Sequence, residues 1–182
     1  MSKTTKQMRA TAYHESGHVV GLIYCGLTFD YVTIRASYGI VGHVELSEEL
    51  KLLRGKILDE HESEPFKPTS EEKELIEKMM VTALSAFHSE YKFTGRRNNI
   101  KAKGDLLEVH TWANIDRSEK AANKYIDYLQ VVASEIFEMP FYWKLTELIA
   151  EELLEKDTLS QSDVFNLKEK ILESDPSLSF LV

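Results

Sequence analysis

The pattern of apolar and polar positions along the chain predicts a protein built mainly from α-helices. Residues from about 5 to 25 form the first predicted helix, and Gly26 is a typical residue for its C-terminal end. Thr69 and Glu72 have the spacing of a capping box, and a stripe of apolar residues at helical intervals follows them. The further helical segments are a turn at 49–58 and helices at 69–92, 104–113, 118–139, 141–156 and 160–174.

Residues 29–46 differ in character from these segments and predict a small β-hairpin. The segment 29–35 is rich in β-branched and aromatic residues, which favour a strand. Gly39 and Gly42 indicate a turn, and residues 42–46 then form a short return strand. The expected fold class is therefore mainly α, with about six helices and a small β-hairpin beside the first helix.

Length and composition are ordinary for a globular protein. The 182 residues suit a single domain over residues 1–182, with residues 1–8 as a flexible tail. The net charge of −8 argues against a nucleic-acid partner, because phosphate binding needs clustered cations. The sequence has no run of about 18 apolar residues, so we expect no membrane partner and a cytoplasmic location. Cys25, the single cysteine, ends an apolar run and is interpreted as a core residue rather than a nucleophile.

The first helix carries candidate metal chemistry in the segment His14-Glu15-Ser16-Gly17-His18, an H-E-x-x-H motif. Residues i and i+4 share one face of a helix, so His14 and His18 can bind one zinc ion. Glu15 is then placed to act as the general base that deprotonates a metal-bound water. The motif indicates a zinc-dependent metallopeptidase.

The surroundings of the motif favour this interpretation over an amphipathic helix with two surface histidines. The neighbouring residues Ala12-Tyr13 and Val19-Val20 are mostly apolar, so this helix is expected to be buried. Gly17 and Gly21 each cost roughly 1 kcal/mol inside a helix relative to alanine. Glycines at such positions suggest that another part of the chain approaches the helix closely.

A catalytic zinc site needs a third protein ligand and an open position. The longer pattern H-E-x-x-H-x-x-G-x-x-H places Gly21 correctly but has Tyr24 where the third ligand should be. The spacing along the chain does not choose among the remaining candidates. These candidates are His43, His88, Glu90, Asp105, Glu108 and His110.

Five segments, taken in order, resemble the peptidase domain of the FtsH family, the membrane-bound AAA zinc proteases. The segment 11–21 resembles the family's zinc helix, and 145–159 resembles its L-L-x-x-E-T-L signature. The segment 31–35 is similar to the strand after the zinc helix, and 86–95 to a helix that contains an A-E pair. Gly104-Asp105-Leu106 is similar to the segment that supplies the family's third zinc ligand. The resemblance spans residues 11 to about 172, nearly the whole chain.

The resemblance implies an FtsH-peptidase-like fold in which Asp105 completes the zinc site. We expect Asp105 to approach the zinc helix near Gly17 or Gly21. Glu90 stands at the family's glutamate and would be a hydrogen-bond partner of a zinc-binding histidine, although an exposed helix glutamate is the simpler interpretation. The strand after the zinc helix, if it is an edge strand, would align an extended substrate by β-augmentation. Its substrate-binding residues would be Val32, Thr33, Ile34 and Arg35.

The expected function is that of a zinc metalloendopeptidase, with Zn²⁺ as cofactor, that hydrolyses unstructured polypeptides. The chain contains no G-x-x-x-x-G-K-[ST] segment, so it would be a stand-alone peptidase that cannot itself use ATP to unfold substrates. A separate AAA ATPase as partner and a homo-oligomeric assembly both stay open. The chief alternative is a non-proteolytic binding or regulatory module that keeps the FtsH peptidase fold. A metallohydrolase acting on a small amide is a third hypothesis.

Overall fold

A computed structural model describes residues 3–37, 40–58, 66–96 and 103–181. Over these ranges the chain forms seven α-helices, one 3-10 helix and a three-stranded antiparallel sheet. The expectation of a mainly α protein with a small β element is therefore confirmed. The elements are α1 Lys3–Tyr24, β1 Phe29–Ser37, β2 Ile40–Leu46, α2 Glu48–Leu58, α3 Ser70–Thr94, α4 Lys103–Ala113, α5 Glu119–Ile136, α6 Pro140–Lys156, β3 Thr158–Ser160, α7 Gln161–Ser174 and the 3-10 helix Pro176–Leu181.

The helix ends follow the local signals in the sequence. Helix α1 is followed by Gly26, whose φ of 68° lies in the left-handed region that glycine adopts without strain. The capping box of α3 is present. The backbone N–H of Glu72 donates to the Thr69 hydroxyl at 3.2 Å, and the backbone N–H of Thr69 donates to the Glu72 carboxylate at 2.9 Å. Helix α1 begins at Lys3, within the segment 1–8 expected to be a tail.

Helix α1 lies at the centre of the molecule and packs against α3 and α6. The close approach that its glycines suggested is made by α3. A Cβ atom on Gly17 would lie 2.7 Å from the Cα of Ala86 and 2.7 Å from the carbonyl oxygen of Ser85. A Cβ atom on Gly21 would lie 2.9 Å from the Cα of Thr82. Since backbone atoms of α3 cannot yield to a side chain, the glycines are required for this packing.

The sheet has the strand order β2-β1-β3, and all its pairs are antiparallel. Strand β1 is central, because Thr33 pairs with His43 of β2 on one side and with Thr158 of β3 on the other. The condition for aligning a substrate along β1, that it be an edge strand, is therefore not met. The predicted return strand 42–46 lies within β2, which includes Gly42, and Gly39 lies outside the described residues.

Within the described residues, none of the helices has the length and apolar character needed to cross a membrane. Several apolar side chains of α1 face the interior, and Val19, Val20 and Leu22 are fully buried there. The core continues through the central parts of α3, α5 and α6. This core holds α1 rigidly and thereby positions the motif it carries.

Cys25 packs at the edge of this core, as its position after an apolar run suggested. Burial raises the pKa of its thiol to about 11. We therefore expect slow reaction with a disulfide reagent at pH 8, with a thiolate fraction roughly a hundredfold below that of an ordinary cysteine thiol. Comparing the rate in native protein with that in denaturant measures this difference. Equal rates would contradict the partly buried placement of Cys25.

Candidate metal centre

Three side chains that can ligate a metal converge at the surface of α1. His14 and His18 share one face of α1, and Asp105 comes from the first turn of α4. His14 Nε2 lies 3.2 Å from Asp105 Oδ2, and His18 Nε2 lies 3.5 Å from Asp105 Oδ1. One ligand atom from each residue lies within 4.8 Å of the other two. The arrangement thus brings two imidazole nitrogens and a carboxylate to one point.

Asp105 reaches this point because α4 packs against α3 and α5. Val109 and Trp112 of α4 are buried and fix which face of the helix turns inward. An ion pair also connects α4 to α2, since Arg54 Nε of α2 donates to Glu108 Oε2 of α4 at 3.2 Å. A carboxylate in the first turn of a helix is also favoured by the helix dipole. Asp105 therefore stands on a well-supported helix end, and it meets α1 at His14 and His18.

A second layer of hydrogen bonds orients both imidazole rings. His14 Nδ1 lies 3.1 Å from Glu90 Oε2, and His18 Nδ1 lies 3.3 Å from the carbonyl oxygen of Thr82. A carbonyl oxygen only accepts, so the proton of His18 belongs on Nδ1, and a carboxylate acceptor favours the same tautomer for His14. Each Nε2 then presents a lone pair toward Asp105. The interpretation of Glu90 as an exposed helix residue is wrong, because Glu90 is buried.

Glu15 is held in the interior beside the motif histidines. Its exposed fraction is 4%, which is unusual for a glutamate without a functional or structural reason. The carboxyl group lies against Gly42 of β2, where a Cβ atom would stand 2.5 Å from Glu15 Oε1. The carboxylate is therefore confined between α1 and the sheet.

Four other candidate ligands, His43, His88, Glu108 and His110, do not belong to this group of three. His43 lies on β2, with its Nε2 3.2 Å from the Tyr31 hydroxyl. Glu108 is engaged by Arg54, and His110 is exposed on α4. The ring of His88 lies edge-on to that of Phe87. Among the described residues, only Asp105 joins the two histidines in a group of three.

The residues expected to bind substrate are mostly inaccessible. Val32, Thr33 and Ile34 are buried, and the N–H of Ile34 donates to the carbonyl oxygen of Asp157 at 2.9 Å. Arg35 is exposed, and its Nε lies 3.5 Å from Asp157 Oδ2. A peptide therefore cannot pair along this part of β1.

Two contacts at the site are not predicted by the sequence. The Thr82 carbonyl is a backbone group, so no residue pattern signals its contact with His18. The contact of Gly42 with Glu15 depends on how β2 packs against α1, which no residue pattern signals.

No protein-family model matches the chain, and a search of curated proteins finds no match. Two imidazole nitrogens and a carboxylate, which lie within 4.8 Å of one another, could hold a metal ion. Two imidazoles and one carboxylate are a donor set that zinc accepts. The outer partners Glu90 and Thr82 are of the kind that orient zinc-binding histidines. The residues present fit a zinc ion.

Proposed function

We propose that this protein is a zinc-dependent metalloendopeptidase. The observation that supports the proposal most directly is the convergence of His14, His18 and Asp105, with Glu15 buried in the same helix. In this proposal the three residues hold the zinc ion, and Glu90 and the Thr82 carbonyl keep the histidine rings oriented toward it. A zinc ion supplies Lewis acidity, which lowers the pKa of water and polarises a carbonyl group.

Glu15 acts as the general base. Its carboxylate accepts a proton from the attacking water as the new carbon–oxygen bond forms at the peptide carbonyl. It then delivers that proton to the leaving amine as the carbon–nitrogen bond breaks. Confinement against Gly42 keeps the carboxylate in one place during both transfers.

The substrate is proposed to be an extended polypeptide that pairs with β2 rather than β1. Strand β2 pairs with β1 on one side, and among the described strands none pairs with its other side. Such an edge offers backbone hydrogen bonds to an added strand. Because Gly42 of this strand lies against Glu15, a peptide on β2 would run close to the proposed base.

The proposed function is tested by comparing the digestion of a disordered substrate with that of a folded one. We expect the zinc-loaded chain to digest a disordered protein such as casein and to leave a stably folded domain intact. Global unfolding of a domain costs roughly 5–15 kcal/mol, and the chain has no phosphate-binding G-x-x-x-x-G-K-[ST] loop to couple ATP to that step. The measurement is fragment appearance over time for both substrates, with and without ATP.

Two controls make this experiment decisive. A chelator should stop digestion, and added zinc should restore it. A zinc-loaded chain that binds casein without cutting it would support the non-proteolytic module instead. Cleavage of small amides alone would favour the small-amide hydrolase, and equal digestion of the folded domain would contradict the proposed limitation to unstructured chains.

A further inference from the structure

Gly42 lies where β2 meets α1, and the atoms nearest to a Cβ added at this position belong to the Glu15 side chain. The three atoms nearest to an added Cβ are Glu15 Oε1 at 2.5 Å and Glu15 Cδ and Cγ, both at 2.9 Å. Gly42 is buried, and its φ of 84° lies in the left-handed region. The positive φ therefore favours glycine, and a side chain at this position would force Glu15 to shift.

An irregularity in the sheet places Gly42 against α1. Thr33 pairs with His43 and Ala36 pairs with Val41, so two residues of β1 stand opposite Gly42 alone. Bulges of this kind bend a strand and redirect its side chains, and they occur often next to active sites. Here the bulge lets the β2 backbone approach the helix at the level of Glu15.

We propose that Gly42 is a positioning residue for the general base, an inference that rests on the proposed function. The Gly42 backbone forms one wall of the space that holds the Glu15 carboxylate. A side chain at position 42 would displace the carboxylate, while His14, His18 and Asp105 would keep their places. A displacement of about 1 Å can cost roughly a hundredfold in rate.

Two other glycines provide controls that distinguish this role from the effect of backbone strain. Gly26 and Gly95 have φ values of 68° and 66°, and an added Cβ at either one meets nothing within 4 Å. Gly26→Ala and Gly95→Ala therefore carry the conformational cost of a positive φ without any contact to Glu15. Both are matched controls for Gly42→Ala.

The kinetic test compares the three variants after zinc loading. Gly42→Ala should bind about one zinc per chain and lose roughly a hundredfold in kcat, with KM within about threefold of wild type. Gly26→Ala and Gly95→Ala should keep the wild-type kcat. In a Glu15→Gln background, Gly42→Ala should add no further loss, because residues that act through one group are not additive. An unchanged kcat in Gly42→Ala, an additive loss, or an effect on KM alone would overturn the inference.

A structural readout keeps the test independent of activity. Crystal structures of zinc-loaded wild type and Gly42→Ala should show the Glu15 carboxylate in different positions and the histidines unmoved. An unmoved carboxylate in Gly42→Ala would reject the positioning role, whatever the activity. A displaced carboxylate in a protein whose zinc-loaded wild type cuts no peptide would instead reject the proposed function while leaving the contact established.

Discussion

Glu15→Gln should retain its zinc and lose peptidase activity by roughly a hundredfold to ten-thousandfold, the usual cost of removing a general base. The amide has nearly the shape of the carboxylate and occupies the same space against Gly42. It cannot accept the proton of the attacking water, so kcat falls while the metal ligands stay in place. Metal content by mass spectrometry and initial rates on a disordered substrate measure the two quantities separately.

Glu135→Gln is a matched control, because Glu135 is an exposed residue of α5 outside the candidate site. It should keep both the zinc content and the rate of wild type. A Glu15→Gln variant that cleaves as fast as wild type would show that the proposed mechanism is wrong. Loss of zinc from that variant would show instead that Glu15 helps to hold the metal.

His14→Ala and His18→Ala should each abolish stoichiometric zinc binding, and Asp105→Ala should weaken it strongly. Wild-type protein should hold about one zinc per chain. Removing a ligand leaves two protein donors, and the remaining lone pairs no longer enclose the ion. Equilibrium dialysis followed by metal analysis gives the content of each variant, and peptidase activity should fall with it.

His110→Ala serves as the control for the Asp105 variant. His110 is an exposed histidine on the same helix and does not belong to the ligand group. It should leave zinc binding unchanged. Wild-type zinc content in both α1 histidine variants would reject the site, and a zinc-replete Asp105→Ala variant would place the third ligand elsewhere.

Sequence patterns predicted those parts of the site that lie on one helix. His14 and His18 share a face because an α-helix has 3.6 residues per turn, and this holds wherever the helix packs. Gly17 and Gly21 indicated a close neighbour for the same helix. The capping box at Thr69 predicted the start of α3, since its two hydrogen bonds are local.

The third ligand could not be identified from local sequence patterns. Spacing left six candidates, and the resemblance to the FtsH family pointed to Asp105. In the structure Asp105 lies beside His14 and His18 because α4 packs against α3 and α5. That packing depends on contacts between residues far apart in the chain. Whether Asp105 binds zinc is tested by measuring the zinc content of the Asp105→Ala variant.

The sheet shows the same limit. Strand β3 spans only Thr158–Ser160, and so short a strand cannot show an alternating pattern in the sequence. Without β3 the sequence describes a hairpin, and β1 then has a free edge. With β3 in place β1 is central, Val32 pairs on both sides, and β2 is left as the strand beside the site.

The sequence by itself determined the helical class, the motif face of α1 and the glycines that face α3, because each depends on helix periodicity or side-chain size within a few residues. Only the tertiary structure decided that Asp105 joins the histidines, that Glu90 is buried against His14, and that Gly42 confines Glu15. These three contacts join elements that are distant in sequence. They depend on how the helices and the sheet pack together, and no local pattern encodes that packing.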